Sequence, residues 1–313
     1  NRPEAPDQTV KKVGIIGAGM MGAGIAYVSA NAGIEVVLID AAQDSADHGK
    51  AYSAGILDKG ISRKKVTPEK KEEVLGRITA TTDYAALKGC DLIVEAVFED
   101  PKVKAGVTAQ AEAVIPSDAI FATNTSTLPI SDLAKASARP EQFIGIHFFS
   151  PVDKMMLVEI ILGEKTGEAA IAKSLDYVMK IKKTPIVVND GRGFYTSRCF
   201  GTYVAEGMAM LEEGYAPALI DNIGRMTGMP RGPLEMHDDV ALDLSVKIAK
   251  QTAADLGDKY QPLPGSHIVQ KMVEELGRYG RKNGMGFYDY DQKPKKIWAG
   301  LADLAPVKIN DST

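Results

Sequence analysis

A run of glycines set between two apolar stretches constrains this chain more than any other feature. "KVGII" at residues 12–16 reads as a short buried strand, "GAGMMGAGIAYVSANAG" as a tight turn opening into a small-residue helix that stops near Gly33, and "EVVLID" as a second strand. Gly17, Gly19 and Gly22 have the spacing G-x-G-x-x-G. The triplet alone is weak evidence. Between a strand and a helix, however, each glycine has its own part to play. Gly17 makes the turn, Gly19 lets a pyrophosphate approach the backbone, and Gly22 lets helix pack on strand. Asp40 closes the second strand, where its carboxylate is suited to accept hydrogen bonds from an adenosine ribose. An anion there repels a 2′-phosphate, and "AAQ" after it brings no arginine to receive one. The unit is predicted to bind NAD rather than NADP.

Further apolar runs at 91–97, 119–123 and 143–149 alternate with charged, helix-like segments, the pattern of a parallel sheet covered on both faces. "LVEIIL" and "PIVVND" read as the last strands, and residues 43–80, rich in Lys, Asp and Glu, as a helical excursion from the sheet. After residue 190 apolar residues recur at helical spacing with Gly or Pro between the segments. The predicted fold class is therefore α/β, a Rossmann-type, mostly parallel sheet domain followed by a smaller all-helical domain. The boundaries are a linker at 1–10, the NAD-binding domain at 11–190, the helical domain at 191–290, and a connector at 291–313.

Ligands of open α/β sheets collect beyond the carboxyl ends of the strands. Three loops there carry polar groups: Glu99 and Lys104 in "EAVFEDPKVK", Asn124 and Ser126 in "NTSTLP", and the end of "HFFSP". Each has a plainer reading, a solvated helix start or a polar turn; their convergence at one sheet edge favours function. His147 and Glu159 are set in apolar runs, "IGIHFF" and "LVEIIL", where ionisable groups need partners. Oxidising an alcohol releases a proton, histidine is suited to accept it, and a carboxylate beside the ring would orient it and stabilise the imidazolium. The short "SPVDKMM" loop between the two strands would bring the pair together. His48, His237 and His267 are given no role.

The 313 residues hold 37 basic and 41 acidic side chains, a formal charge of -4, so nothing points to nucleic acid. No apolar run is long enough for a membrane helix. Cys90 and Cys199 are the only cysteines and offer neither a disulfide framework nor a metal-ligand spacing. No metal is expected.

Taken together, "GAGMMGAGIAY", "NTSTLPI", "GIHFFSPV", "LVEII" and "GRKNGMGFYDY" resemble the 3-hydroxyacyl-CoA dehydrogenases of fatty-acid β-oxidation, from about residue 11 to 290. The resemblance implies NAD-dependent oxidation of an L-3-hydroxyacyl-CoA to the 3-ketoacyl-CoA, with His147 and Glu159 at the positions of the family's base pair. Ser126 matches the serine near the substrate hydroxyl and nicotinamide. Met21, Asp40, Val97, Phe98, Glu99, Lys104 and Ser150 match positions lining the NAD site. One departure is "GFYTSR", where the family often has Asn before Arg: Ser197 is shorter and presents no amide toward a substrate. Serine or threonine there resembles the multifunctional, long-chain members. So does the continuation "DQKPKKIWAGLADLAP", and with the Met-less, Pro-rich start it reads as the dehydrogenase segment of a larger protein. The implied setting is the bacterial cytoplasm, with a mitochondrial or peroxisomal matrix as alternative, and a homodimer or a place in a larger β-oxidation complex. Lys59 and Arg63 are candidates to meet CoA phosphates, or simply a solvated face. Two other functions remain open: a different NAD-dependent hydroxy-acid dehydrogenase, or a non-catalytic NAD-binding relative.

Overall fold

The computed structural model describes residues 2–5 and 9–309; the outer parts of the predicted linker and connector, residues 1, 6–8 and 310–313, lie outside the described residues. The chain divides into two compact units, residues 1–196 and 197–313.

The first unit is built on eight strands in the order β3-β2-β1-β4-β5-β6-β7-β8. They are β1 (Lys12–Ile16), β2 (Glu35–Ile39), β3 (Ile78–Thr81), β4 (Leu92–Glu95), β5 (Ile120–Thr123), β6 (Phe143–Phe148), β7 (Leu157–Leu162) and β8 (Thr184–Asn189). All neighbours are parallel except β6 and β7, which run antiparallel because only a short loop joins them. The helices between are α1 (Met20–Asn31), α2 (Gln43–Ser62), α3 (Pro68–Gly76), α4 (Pro101–Glu112), the single turn α5 (Ile130–Leu133) and α6 (Glu168–Lys180). The mostly parallel sheet meets the expected class. The polar excursion is not wholly helical, however: its last residues, "ITAT", form the edge strand β3 beside β2. The run at 91–97 also ends early, because the Glu95 carboxylate accepts the Val97 N–H at 2.7 Å and turns the chain out of the sheet.

Local chemistry explains the helices that frame the sheet edge. On α2 the buried residues Ala46, Gly49, Ser53 and Leu57 form one stripe at helical spacing, leaving the charged faces to solvent. Asp100 caps α4 through the Lys102 and Val103 N–H groups, with Pro101 at its first position. On α1 the small residues permit close approach. A Cβ at Gly22 would lie 1.7 Å from the Gly17 carbonyl oxygen, and one at Gly24 would lie 2.8 Å from Val152 in the loop after β6.

The second unit contains α7 (Thr196–Glu213, its first residue in the first unit), α8 (Pro217–Met226), α9 (Pro233–Val240), α10 (Leu242–Leu256) and α11 (Ser266–Glu274). A two-residue ribbon of β9 (Tyr288–Asp289) and β10 (Lys296–Ile297) and the turn α12 (Leu301–Leu304) complete it. Two buried carboxylates organise this unit. Asp221 accepts the Leu234 and Glu235 N–H groups at the start of α9 and the Tyr288 hydroxyl; Asp238 accepts the Phe287 and Tyr288 N–H groups and the Tyr290 hydroxyl. Burial pushes the Asp238 carboxyl up to about 6 against the lowering effect of those bonds. Leu301 and Ala305, within the predicted connector, are buried in the same core as Phe287, because the ribbon returns the chain across it.

The Gly17–Gly22 contact makes a direct prediction. Gly22→Ala forces apart two backbone segments rather than a flexible side chain, and should destabilise the NAD-free protein by about 3 kcal/mol. Urea denaturation checks this, and unchanged stability would show that the turn and helix do not approach so closely.

Candidate active site

The turn after β1 exposes backbone toward open space. Gly17 adopts φ +100°, and any side chain there would strike the Ala96 carbonyl. A Cβ at Gly19 meets nothing within 4 Å, and α1 starts at this point with no side-chain cap and no acidic residue in its first turn. Uncapped N–H groups beside free space fit a pyrophosphate. Asp40 accepts the Ala18 and Ala41 N–H groups at 2.7 Å each, which fixes its carboxylate on the rim of a cavity of about 340 Å³. Asp44, Ser45 and His48 also line this cavity, from the first two turns of α2. Residues and space therefore fit the adenosine half of NAD. The sequence alone assigns no role to Asp44 or His48, although their i, i+4 spacing just after Asp40 is a visible signal.

At the ends of β4 and β5 the predicted residues fall into two groups. Phe98 is 79% exposed, Val97 is half-buried, and Ser126 stands exposed on its loop. Lys104, by contrast, is 1% exposed: its Nζ lies 2.9 Å and 3.1 Å from the two carboxylate oxygens of buried Glu95 and 3.3 Å from Glu99 Oε2. Glu95 also accepts the Thr123 hydroxyl at 2.7 Å. Glu99 Oε1 in turn accepts the Thr125 hydroxyl and the Ser126 and Thr127 N–H groups. Burial pushes the Glu99 carboxyl up, but Lys104 and these bonds together hold it below the usual carboxylate range. Lys104 thus ties α4 to the Ser126 loop from beneath. Met21 packs on the sheet core, while its exposed neighbour Met20 places its sulfur 3.6 Å from the Ser150 hydroxyl.

His147 and Glu159 face each other directly across β6 and β7. His147 Nδ1 lies 2.7 Å from Glu159 Oε2; Glu159 is 0% exposed and His147 7%. The other oxygen, Oε1, accepts the Tyr195 and Thr196 N–H groups at 3.1 Å and 2.8 Å. Burial pushes the Glu159 carboxyl up, yet the bonds from His147 and the Thr196 N–H hold it below the usual carboxylate range. The anion therefore persists to lower pH than an ordinary glutamate. Phe149 and Phe194 flank the imidazole, their ring centroids 4.5 Å and 6.1 Å away. With Nδ1 engaged, Nε2 is the nitrogen that has no partner among the described residues. Two more contacts hold the end of β6: Asn124 Oδ1 accepts the Phe148 N–H at 2.8 Å, and Lys183 Nζ donates to the Val152 and Met155 carbonyls in the following loop.

The remaining candidates lie apart. Ser197 begins the second unit within the first turn of α7, and Lys59 and Arg63 are exposed at the C-terminal end of α2. His237 is buried against Ser245, and burial pushes its imidazole down to about 4; His267 lies beside Glu212. No cluster of three metal-ligating side chains occurs among the described residues.

Cofactor choice follows from the two carboxylates on the adenosine cavity. Asp40→Ala should weaken NADH binding by roughly tenfold, the effect of losing hydrogen bonds to a charged group. Removing Asp44 as well and adding Ala41→Arg should bring NADPH within about tenfold of NADH, since both sources of 2′-phosphate repulsion are then gone. Fluorescence titration with each nucleotide checks this, and equal affinities in the unsubstituted protein would remove the basis for it.

Comparison with known proteins places these features in a family. Residues 12–191 match the model of the 3-hydroxyacyl-CoA dehydrogenase NAD binding domain, and residues 193–290 match that of the family's C-terminal domain. The fatty acid oxidation complex subunit alpha of Idiomarina loihiensis is 43% identical over 307 residues, and that of Shewanella frigidimarina 39% over 308; each alignment covers 98% of this chain and 42% of the relative. The chain thus spans about two-fifths of the length of these curated relatives. Among solved structures, (S)-3-hydroxybutyryl-CoA dehydrogenase from Ralstonia eutropha superposes with a TM-score of 0.84 at 34% identity, covering 91% of this chain and all of that one. The 3-hydroxybutyryl-CoA dehydrogenase of Escherichia coli K12 gives 0.85 at 33%, covering 92% of this chain and 61% of that one. Matched along both of its domains, this chain belongs to the 3-hydroxyacyl-CoA dehydrogenase family, and its first domain is that family's NAD-binding domain.

Proposed function

We propose that the chain oxidises L-3-hydroxyacyl-CoA to 3-ketoacyl-CoA with NAD, using His147 as general base and Glu159 as its orienting carboxylate. The observation that carries this reading is the buried His147–Glu159 pair at the carboxyl end of β6, in a sheet whose first turn fits a dinucleotide. Bound NAD supplies the hydride acceptor. The chain's own residues handle the proton: His147 Nε2 takes it from the substrate hydroxyl, and the adjacent anion stabilises the imidazolium that results. Glu159 presents only acceptor oxygens and is held ionised, so it fixes Nδ1 as the protonated nitrogen and leaves Nε2 free to act. Ser126, exposed on a loop whose backbone is fixed by Glu99, is assigned to the substrate hydroxyl. Asp40, Gly17, Gly19 and Gly22 hold the adenosine and pyrophosphate; Met21, Val97, Phe98, Glu99, Lys104 and Ser150 form or support the remainder of the NAD site. Ser197 is assigned to the acyl-CoA.

None of the described helices is long and apolar enough to cross a membrane. The bacterial α-subunit relatives support a cytoplasmic protein that acts within a larger β-oxidation assembly. Exposed Ile223, Met226, Leu244 and Ile248 on the second unit favour a homodimer for the chain by itself. Sedimentation should show the dimer at micromolar concentration, and a monomer at every concentration would refute it.

The base must be unprotonated to act, so alcohol oxidation should rise with pH while the reverse reaction, followed with acetoacetyl-CoA and NADH, should fall. His147→Gln should lower kcat by about 100- to 10,000-fold with NADH binding retained. Glu159→Gln should lower kcat and move the acid limb of oxidation to lower pH, since the charge that favours the imidazolium is gone. Near-normal kcat in both folded variants would return His147 to the role of a buried, satisfied core histidine. No turnover of any 3-hydroxyacyl-CoA by the unsubstituted chain would overturn the function itself.

A further inference from the structure

The segment "DGRGFYT", residues 190–196, contains an expensive piece of backbone. Gly193 lies at φ +77°, and Phe194 follows at φ +48°, in the left-handed region that a side chain with a Cβ rarely adopts. Phe194 is nevertheless fixed there. It is 3% exposed, packs in the core with Ile130, Phe143 and Ile161, and donates its N–H to the Gly191 carbonyl at 3.0 Å. The segment is tethered at its start too, because the Asp190 carboxylate accepts the Ile130 and Ser131 N–H groups. As the chain leaves the left-handed residue, the next two N–H groups point the same way, onto Glu159 Oε1. Thr196 makes this contact through its backbone N–H, and its buried hydroxyl also favours the carboxylate anion.

Resting on the function proposed above, we propose that the 193–196 turn is a positioning device for the base. Left-handed Phe194 aims the Tyr195 and Thr196 N–H groups at Glu159, so that the carboxylate stays an anion throughout turnover and the proton taken by His147 remains on the imidazole. Successive backbone N–H groups converging on one anion form a fixed, partly positive concavity that needs no charged side chain. The geometry suits this role. His147 occupies Oε2 from β6, the turn occupies Oε1, and the residue opposite Glu159 on β8 is Ile186, so no other charged group faces the carboxylate from its neighbouring strands. The Phe194 ring also walls one side of the imidazole, so one strained residue serves both members of the pair.

Without the two donors the carboxylate would be a stronger base and would hold the imidazolium more tightly, keeping the dyad protonated to higher pH. Thr196→Pro, read against Thr196→Val, which loses only the hydroxyl, tests this by deleting one N–H at the first position of α7, where proline is tolerated. The acid limb of alcohol oxidation should move up by roughly one pH unit, as expected for losing a hydrogen bond to a charged group. On the acid limb kcat should fall by up to about tenfold, and it should recover as pH rises. In the Glu159→Gln background the same substitution should produce no shift. A loss of kcat that is uniform with pH, or a shift that persists without the Glu159 charge, would assign the turn a merely structural role. A second readout needs neither substrate, cofactor nor the proline variant. In NAD-free protein, the Tyr195 and Thr196 amide proton resonances should follow the protonation of Glu159 and lose their downfield shift in Glu159→Gln. Amides indifferent to Glu159 would overturn the proposal even if 3-hydroxyacyl-CoA is turned over; amides that respond would sustain it even if the substrate assignment fails.

Discussion

The antiparallel pairing of β6 with β7 is the constraint on which the site depends. In a wholly parallel sheet, successive strands are joined by long crossovers, and two residues 12 positions apart do not meet face to face. Here a short loop reverses the chain, and the register sets His147 opposite Glu159 in the sheet interior. A slip of one residue would turn every side chain of β7 to the other face and leave a buried anion without its partner. The apolar residues around Glu159 therefore fix the geometry as firmly as the hydrogen bond does: Val158, Ile160 and Ile161 are buried in the cores on the two sides of the sheet.

A second buried network does for the neighbouring strand ends what the register does for the His147–Glu159 pair. Glu95, Lys104 and Glu99 are coupled through one ammonium group, and Glu99 passes that restraint to three consecutive residues of the Ser126 loop. Two carboxylates around a single buried cation need every remaining lone pair engaged, and the Thr123 and Thr125 hydroxyls and the Val97 N–H meet that need. Loops at a sheet edge are ordinarily its most mobile parts. This one is anchored from below, which leaves its exposed face free to meet a ligand.

Much of this was legible in the sequence because it rests on strong local signals. The glycine turn, Asp40, the strand runs and the His147–Glu159 pairing follow from periodicity and from the difficulty of placing ionisable groups in apolar strands. What escaped was governed by tertiary contact. "ITAT" is short and half-polar and becomes a strand only because β2 offers an edge. The resemblance sets Lys104 at the NAD site, and nothing near it in sequence announces Glu95 as its buried partner. Met21 and Met20 are adjacent, and only the phase of α1 decides which one packs on the core. The donors to Glu159 Oε1 had the least visible signature, since a backbone N–H belongs to nearly every residue. The sole hint was the pair of glycines in "GRGF", which marks an unusual turn without saying what it faces.

The close approach of Gly24 to Val152 has a consequence for anyone treating such proteins as assemblies of parts. The helix that follows the glycine turn lies against the loop that follows β6, with Met20 near Ser150 beside it and Lys183 fastening the loop from the other end. Dinucleotide-binding βαβ units are often regarded as interchangeable cassettes. In this chain the cassette has a fitted edge: a transplanted unit with an ordinary alanine or serine at position 24 would displace the loop at the end of β6, and the graft would have to carry residues 150–155 with it.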